Sequence, residues 1–207
     1  MYLIVESQYF PVVTLYKKSI EITNVKIDEY ESWRKMSFRN RCVVAGANGP
    51  INLSVPLVEG REQKKAMKEV LIDNSKPWQA QHWKTVVSCY NRSPWFDFFS
   101  HELEGIYRQP FELLVDWNRT CLEWVNKKLG GRLHVEYTQG NFTRVSDPEA
   151  IDWRGKLMPK SIAQEFPEPV KYRQVFEERN GFIPHLSILD LLFCEGKNAR
   201  RILSAGV

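Results

Sequence analysis

The strongest constraint on what this chain folds into is a change of hydrophobic period partway along it. Ile51, Leu53, Val55 and Leu57 alternate with Asn52, Ser54 and Pro56, and a period of two puts one set of side chains on one face of a strand. Further on, Trp83, Val86, Val87 and Tyr90 are spaced three and four apart, the stripe of a half-buried helix. A chain that carries both patterns in succession is a mixed α/β protein. Its 207 residues suffice for one sizeable core and are short for two, so 1–207 is read as a single domain.

The N-terminal part reads as mostly β. Leu3-Ile4-Val5 is a short apolar strand ended by Gln8-Tyr9-Phe10-Pro11, a helix is allowed from Pro11 to Ser19, and Ile20, Ile22, Val25 and Ile27 suit an extended piece. Cys42-Val43-Val44-Ala45 and the alternating 51–57 segment flank a turn containing Asn48-Gly49, the pattern of a hairpin. Val70-Leu71-Ile72-Asp73 is read as one more strand. A three-helix segment follows. Its helices start near Pro77, start at Ser93-Pro94 with the stripe Phe96, Phe99, Leu103 and Ile106, and run from Leu114 to a stop at Gly130-Gly131. Leu133, Val135 and Tyr137 alternate as a strand. Between 138 and 170 four prolines interrupt any pattern, which predicts a long loop and a possible lid. Leu186 to Phe193 predicts a buried C-terminal helix closed by Gly196.

Charge bounds the partners. The 29 basic and 25 acidic residues leave a net charge of +4, which suits a small anionic ligand and falls short of a nucleic-acid footprint. The apolar start stops at Glu6 and no stretch has the length of a membrane span. Four cysteines stand singly, as in a reducing compartment, so a cytoplasmic protein without a metal centre is expected. Generic catalytic signatures are missing: no dinucleotide or P-loop glycine pattern, no H-E-x-x-H and no G-x-S-x-G.

Several short motifs taken in order carry a resemblance. Gln8-Tyr9-Phe10-Pro11, Ser37-Phe38-Arg39-Asn40-Arg41, Asn48-Gly49-Pro50, Ile72-Asp73-Asn74-Ser75, Pro77-Trp78 and His82-Trp83-Lys84 come first. Asp116-Trp117-Asn118, Asp152-Trp153-Arg154, Pro159-Lys160 and Leu186 to Phe193 follow. Nearly the whole chain resembles the WbqC-like family, in the branch common in Bacteroidota. Many members have a histidine where Val5 stands and an asparagine where His185 stands. The resemblance implies a role in surface-polysaccharide or O-antigen biosynthesis. It also implies a transferase moving an aminoacyl (glycyl) or acyl group to a sugar precursor, or else a non-catalytic binding or assembly protein of such a pathway. It names no cofactor and no oligomeric state.

Candidate site residues follow from chemistry together with those motifs. Lys35, Arg39 and Arg41, around Asn40, form a basic cluster suited to a phosphate, pyrophosphate or carboxylate of a sugar nucleotide or phosphate-linked sugar. In an extended segment Arg39 and Arg41 would share a face; the alternative is a surface cluster paired with Glu29 or Glu31. His82 is the candidate general base because imidazole titrates near neutral pH, the alternative being a hydrogen-bonded packing residue. Asp73 is its candidate partner, or a turn cap. Gln8 and Tyr9 follow the first strand, where α/β ligands bind. Trp78 offers a wall, and Asp152, Arg154 and Lys160 lie in the long loop, which either closes over a bound anion as a lid or is merely solvated.

Overall fold

In the computed structural model, which describes residues 1–140 and 147–205, apolar runs ending in a carboxylate build the centre of the fold. β1 (Tyr2–Glu6), α1 (Val13–Glu21) and β2 (Asn24–Asp28) form a parallel β-α-β unit in which Leu3 pairs with Val25 and Glu6 with Asp28. Helices and loops cover both faces of β1, so its side chains from Leu3 to Glu6 are all buried and it reads as a continuous apolar run rather than an alternation. The hairpin forms a separate two-stranded sheet from β3 (Arg41–Gly46) and β4 (Gly49–Ser54). Its two-residue turn is Ala47-Asn48, and Gly49 supplies the left-handed backbone, at φ 112°, that the turn requires. Beyond it Leu53, Val55 and Leu57 face inward as the alternation predicts, whereas Ile51 is exposed.

The three-helix segment comprises α2 (Trp78–Tyr90), α3 (Phe96–Tyr107) and α4 (Leu114–Lys128). Trp117 of α4 is fully buried and sits among Tyr9, Phe10, Trp78, Tyr107 and Phe111 at ring-centroid distances of 5.1–6.2 Å. Two local readings change. Val70 to Asp73 is not a strand but a tether, with single bridges from Leu71 to Leu113 and from Ile72 to Leu57. α3 starts at Phe96 rather than at Ser93-Pro94, because the Ser93 hydroxyl donates back to the Tyr90 carbonyl and Trp95 takes the cap position.

β5 (His134–Tyr137) adds to β2, and β6 (Ala150–Asp152) adds to the other side of β1, giving an all-parallel sheet of order β5-β2-β1-β6. The stretch predicted as a long loop therefore supplies an edge strand. Leu157 and Ile162 within it are buried, and Trp153 packs on Phe166 of the segment after α5 (Ile162–Glu165). Its residues 141–146 lie outside the described part of the chain. Among the described residues no helix is long and apolar enough to cross a membrane.

The C-terminal part contains α6 (Glu177–Asn180), α7 (Ile188–Glu195) and α8 (Ala199–Ser204). α7 is the predicted buried helix. The Ser187 hydroxyl caps its first turn by accepting from the Leu189 N–H, and Gly196 closes it at φ 50°. His185 just upstream adopts φ 55°, a left-handed conformation that asparagine tolerates well among non-glycine residues. At Gly196 a Cβ would lie 1.9 Å from the Trp95 ring. Gly196→Ala is therefore expected to cost at least about 1–3 kcal/mol from overpacking, read as a lower urea midpoint; an unchanged midpoint would mean that Trp95 moves away freely.

Candidate functional site

The chain leaves β1 through α1 to reach β2 on one side, and much later returns with β6 on the other. That reversal of strand order makes a switch point at the carboxyl ends of the strands, the place where α/β sheets bind ligands. Three neighbouring strands here each end in an acid. Glu6 closes β1, Asp28 closes β2 and Asp152 closes β6, with Glu29 and Glu31 just beyond β2. Glu6 and Asp28 are both 1% exposed.

Three arginines meet these acids. Arg39 binds Glu31 at two points, Nε to Oε1 at 2.8 Å and Nη2 to Oε2 at 2.6 Å. Arg119 of α4 binds Glu29 in the same forked manner, Nε to Oε1 at 2.8 Å. Arg154 donates to Asp28 Oδ2 at 2.6 Å and to both oxygens of Asp152. Five carboxylates thus face three guanidinium groups, and buried acids in such surplus repel one another. The Glu31 carboxyl registers this. Burial pushes it up, Arg39 pulls it down, and the Glu6 and Asp28 charges push it up again, leaving it at about 7. For Asp152, burial raises the pKa but the Arg154 hydrogen bonds outweigh it and hold the carboxyl below its ordinary value. Backbone strain marks the same edge: Phe10, four residues past β1, has φ 38°, a costly value for a bulky side chain.

The residues singled out from sequence fall into three groups. At the carboxyl edge lie Gln8, Arg39, Asp152 and Arg154. Gln8 is buried and its Nε2 donates to Glu6 Oε1 at 3.1 Å. The segment before β3 is a turn, not an extended run, so Arg39 and Arg41 part company. Arg39 turns inward to Glu31, while Arg41 reaches the Met36 sulfur at 3.8 Å. Asn40 ties that turn to the Val55 carbonyl at 2.9 Å.

A second group lies in the core. Tyr9 is fully buried, and its hydroxyl contacts His82 Nδ1 at 3.0 Å and the Tyr107 hydroxyl at 2.7 Å. Burial lowers the His82 pKa to about 4, despite a hydrogen bond with the Ser54 backbone. Trp78 is buried and donates its indole N–H to Asn74. The third group is at the surface. Lys35 pairs with Glu62 at 2.7 Å and Lys160 is exposed. Asp73 accepts from the Ser75 N–H at 3.0 Å; its contacts with Ser75 hold its carboxyl below the ordinary value. No group of three or more histidines, cysteines or acids among the described residues is placed to hold a metal ion.

Glu6, Asp28 and Asn118 are the edge residues that sequence reasoning passed over. Their signal was present: Leu3-Ile4-Val5 and Val25 to Ile27 each run straight into an acid, and an acid at the end of a buried strand needs a reason. Asn118, buried in α4, donates to Ser7 Oγ at 3.1 Å and to the Arg39 carbonyl at 2.9 Å.

The fold and this edge define an α/β protein whose parallel sheet carries paired and unpaired carboxylates at its switch point. A sequence profile of the WbqC-like protein family matches residues 6–151 and 155–202. The chain belongs to the WbqC-like protein family. No curated protein and no solved structure matches it.

Proposed function

We propose that this protein is a cytoplasmic transferase of surface-polysaccharide or O-antigen biosynthesis, moving an acyl or aminoacyl group onto a nucleotide- or phosphate-linked sugar at the carboxyl edge of its sheet. Family membership supports the pathway. The observation that carries the chemistry is Glu31, a partly accessible carboxyl held near pH 7 beside Glu6 and Asp28. A base poised at the working pH serves proton removal best. In this reading a sugar hydroxyl or amine attacks the donor carbonyl carbon, its proton passes to Glu31, and the donor's leaving group departs with the bonding pair. Arg39 fixes the carboxylate. Its Nη1 is a buried donor with no partner, a candidate contact for a phosphate or carboxylate of the substrate. Glu31 replaces His82 and Asp73 as the proposed base because the His82 ring is held in the core by Tyr9 and Asp73 is engaged in its turn.

The test is replacement of the chromosomal gene by Glu31→Gln, with folding checked by circular dichroism and the surface polysaccharide analysed for the added group. Loss of a general base lowers turnover by about 10²–10⁴-fold, so the modified sugar is expected to fall below detection. Normal polysaccharide from a folded Glu31→Gln variant would sink the catalytic reading and favour a binding or assembly protein.

A further inference from the structure

Two buried amides at the carboxyl edge each hold an oxygen that nothing uses. Gln8 Oε1 and Asn118 Oδ1 have no hydrogen-bond partner, although the two residues are 3% and 2% exposed. Their orientations are fixed by their other ends. Gln8 Nε2 donates to the Glu6 carboxylate, and Asn118 Nδ2 donates to Ser7 Oγ and to the Arg39 carbonyl. Flipping either amide would set an oxygen against an oxygen. Buried acceptors without donors are rare in folded proteins and point to a missing group.

Both amides line one cavity between the end of β1 and α4, with Glu6, Ser7 and Arg119 also in its wall and Leu15, Ile27 and Leu122 around it. Its volume is about 10 Å³, room for about one water-sized group. Glu6 adds charge to this wall. Its two oxygens accept only from neutral N–H groups, of Gln8 and of Gly155 at 3.0 Å, and none of the ion pairs among the described residues includes it. Arg119 beside it is already matched by Glu29. The cavity is therefore lined by two residues with unused amide oxygens, by the Glu6 carboxylate and by Tyr137, whose buried hydroxyl is also without a partner. A water molecule can give two hydrogens and leaves the charge of Glu6 uncompensated. A primary ammonium gives three N–H donors and one positive charge.

We propose that this cavity is the subsite for a primary ammonium group of the substrate, which narrows the substrate class to an amine-bearing donor or an amino sugar acceptor. The proposal rests on the reading that the chemistry occurs at this edge, but its test is a binding measurement and needs no product. Thermal unfolding of the full chain is followed with methylammonium chloride, tetramethylammonium chloride and potassium chloride at equal ionic strength. Methylammonium alone is expected to give a saturable rise, about 3–6 °C at ten times its dissociation constant. The rise is expected to vanish in Gln8→Met and in Glu6→Gln, each shown to be folded, and to persist in Glu31→Gln. Glycinamide and glucosamine then distinguish the two sources, since the one that reproduces the rise identifies donor or acceptor.

Equal responses to methylammonium and tetramethylammonium would overturn the proposal, as would an equal response to potassium or a response kept by Gln8→Met. Failure of both glycinamide and glucosamine would overturn it too, by showing a cavity that takes a free ammonium but not one carried on a substrate-like body. A methylammonium response in a protein whose Glu31→Gln variant still makes normal polysaccharide would retain the subsite and discard the proposed base.

Discussion

Arg39→Ala is expected to destabilise the chain by about 3–5 kcal/mol, the cost of leaving a buried charge without its partner. The guanidinium is 2% exposed and locked to Glu31 at two points, and Glu31 already carries the repulsion of Glu6 and Asp28. Removing Arg39 leaves those three acids facing one another. Urea unfolding reads the effect as a large drop in midpoint with an unchanged slope. The double variant Arg39→Met/Glu31→Leu is expected to recover most of the loss, because an apolar pair of similar size often replaces a buried ion pair without penalty. If Arg39→Ala unfolds at the wild-type midpoint, the pair does not hold this edge together. A loss of function in Arg39→Ala alone thus says little about ligand binding, and Glu31→Gln is the more informative variant. The pH dependence follows from the same carboxyl. Between its ordinary 4.5 and about 7 the folded state keeps a proton that the unfolded state releases. Its contribution is fully present below 4.5 and is lost as pH rises through 7.

Asp190→Ala is the second large effect. This carboxyl is wholly buried in α7, accepting from the Tyr90 hydroxyl at 2.7 Å and from the Tyr172 hydroxyl at 2.8 Å. Tyr90 in turn accepts from the Ala45 N–H of β3 at 2.9 Å. One acid thereby joins α7, α2, the hairpin and the segment before α6. Alanine strands two phenolic hydroxyls in the core, each costing about 1–3 kcal/mol, for an expected loss of about 2–6 kcal/mol. Asp190→Asn is expected to lose far less, since it keeps an oxygen acceptor and brings no charge. Burial raises the Asp190 pKa to about 6 against the pull of both tyrosines. The wild-type protein should therefore lose part of its stability as pH rises from 3.8 through 6, a dependence that Asp190→Asn removes. Matching pH profiles for wild type and Asp190→Asn would show that the acid is not charged and uncharged in the way argued.

Much of the architecture was legible in the chain because local spacing decided it. The hairpin, the three helices, the strand after Gly130-Gly131 and the buried C-terminal helix each rest on a period and a punctuating residue, and all appear. The pairing of β6 with β1 was not legible: three residues, Ala150 to Asp152, hold no period, and only the edge of a distant strand makes them one. Val70 to Asp73 failed in the opposite sense, looking like a strand yet finding no second strand to pair with. At the candidate site the arginines were visible and their partners were not. Arg39 reads as a free cation until the turn of 31–40 folds Glu31 against it, although that pairing was one of the two readings its spacing allowed. Sequence marks which groups are charged; long-range packing decides which of them are already neutralised.

The order of the sheet also governs when this protein completes its candidate site. β1 sits between β2, which is made shortly after it, and β6, which is made after most of the chain. During synthesis one edge of β1 thus stays unpaired until Asp152 has left the ribosome, and a buried strand held open in this way is a target for aggregation and for chaperones. Glu6, Asp28 and Arg154 come together only when that last strand docks. A nascent or truncated chain that ends before β6 therefore carries the arginine turn and α1 to α4, yet lacks Asp152 and Arg154 from the carboxyl edge.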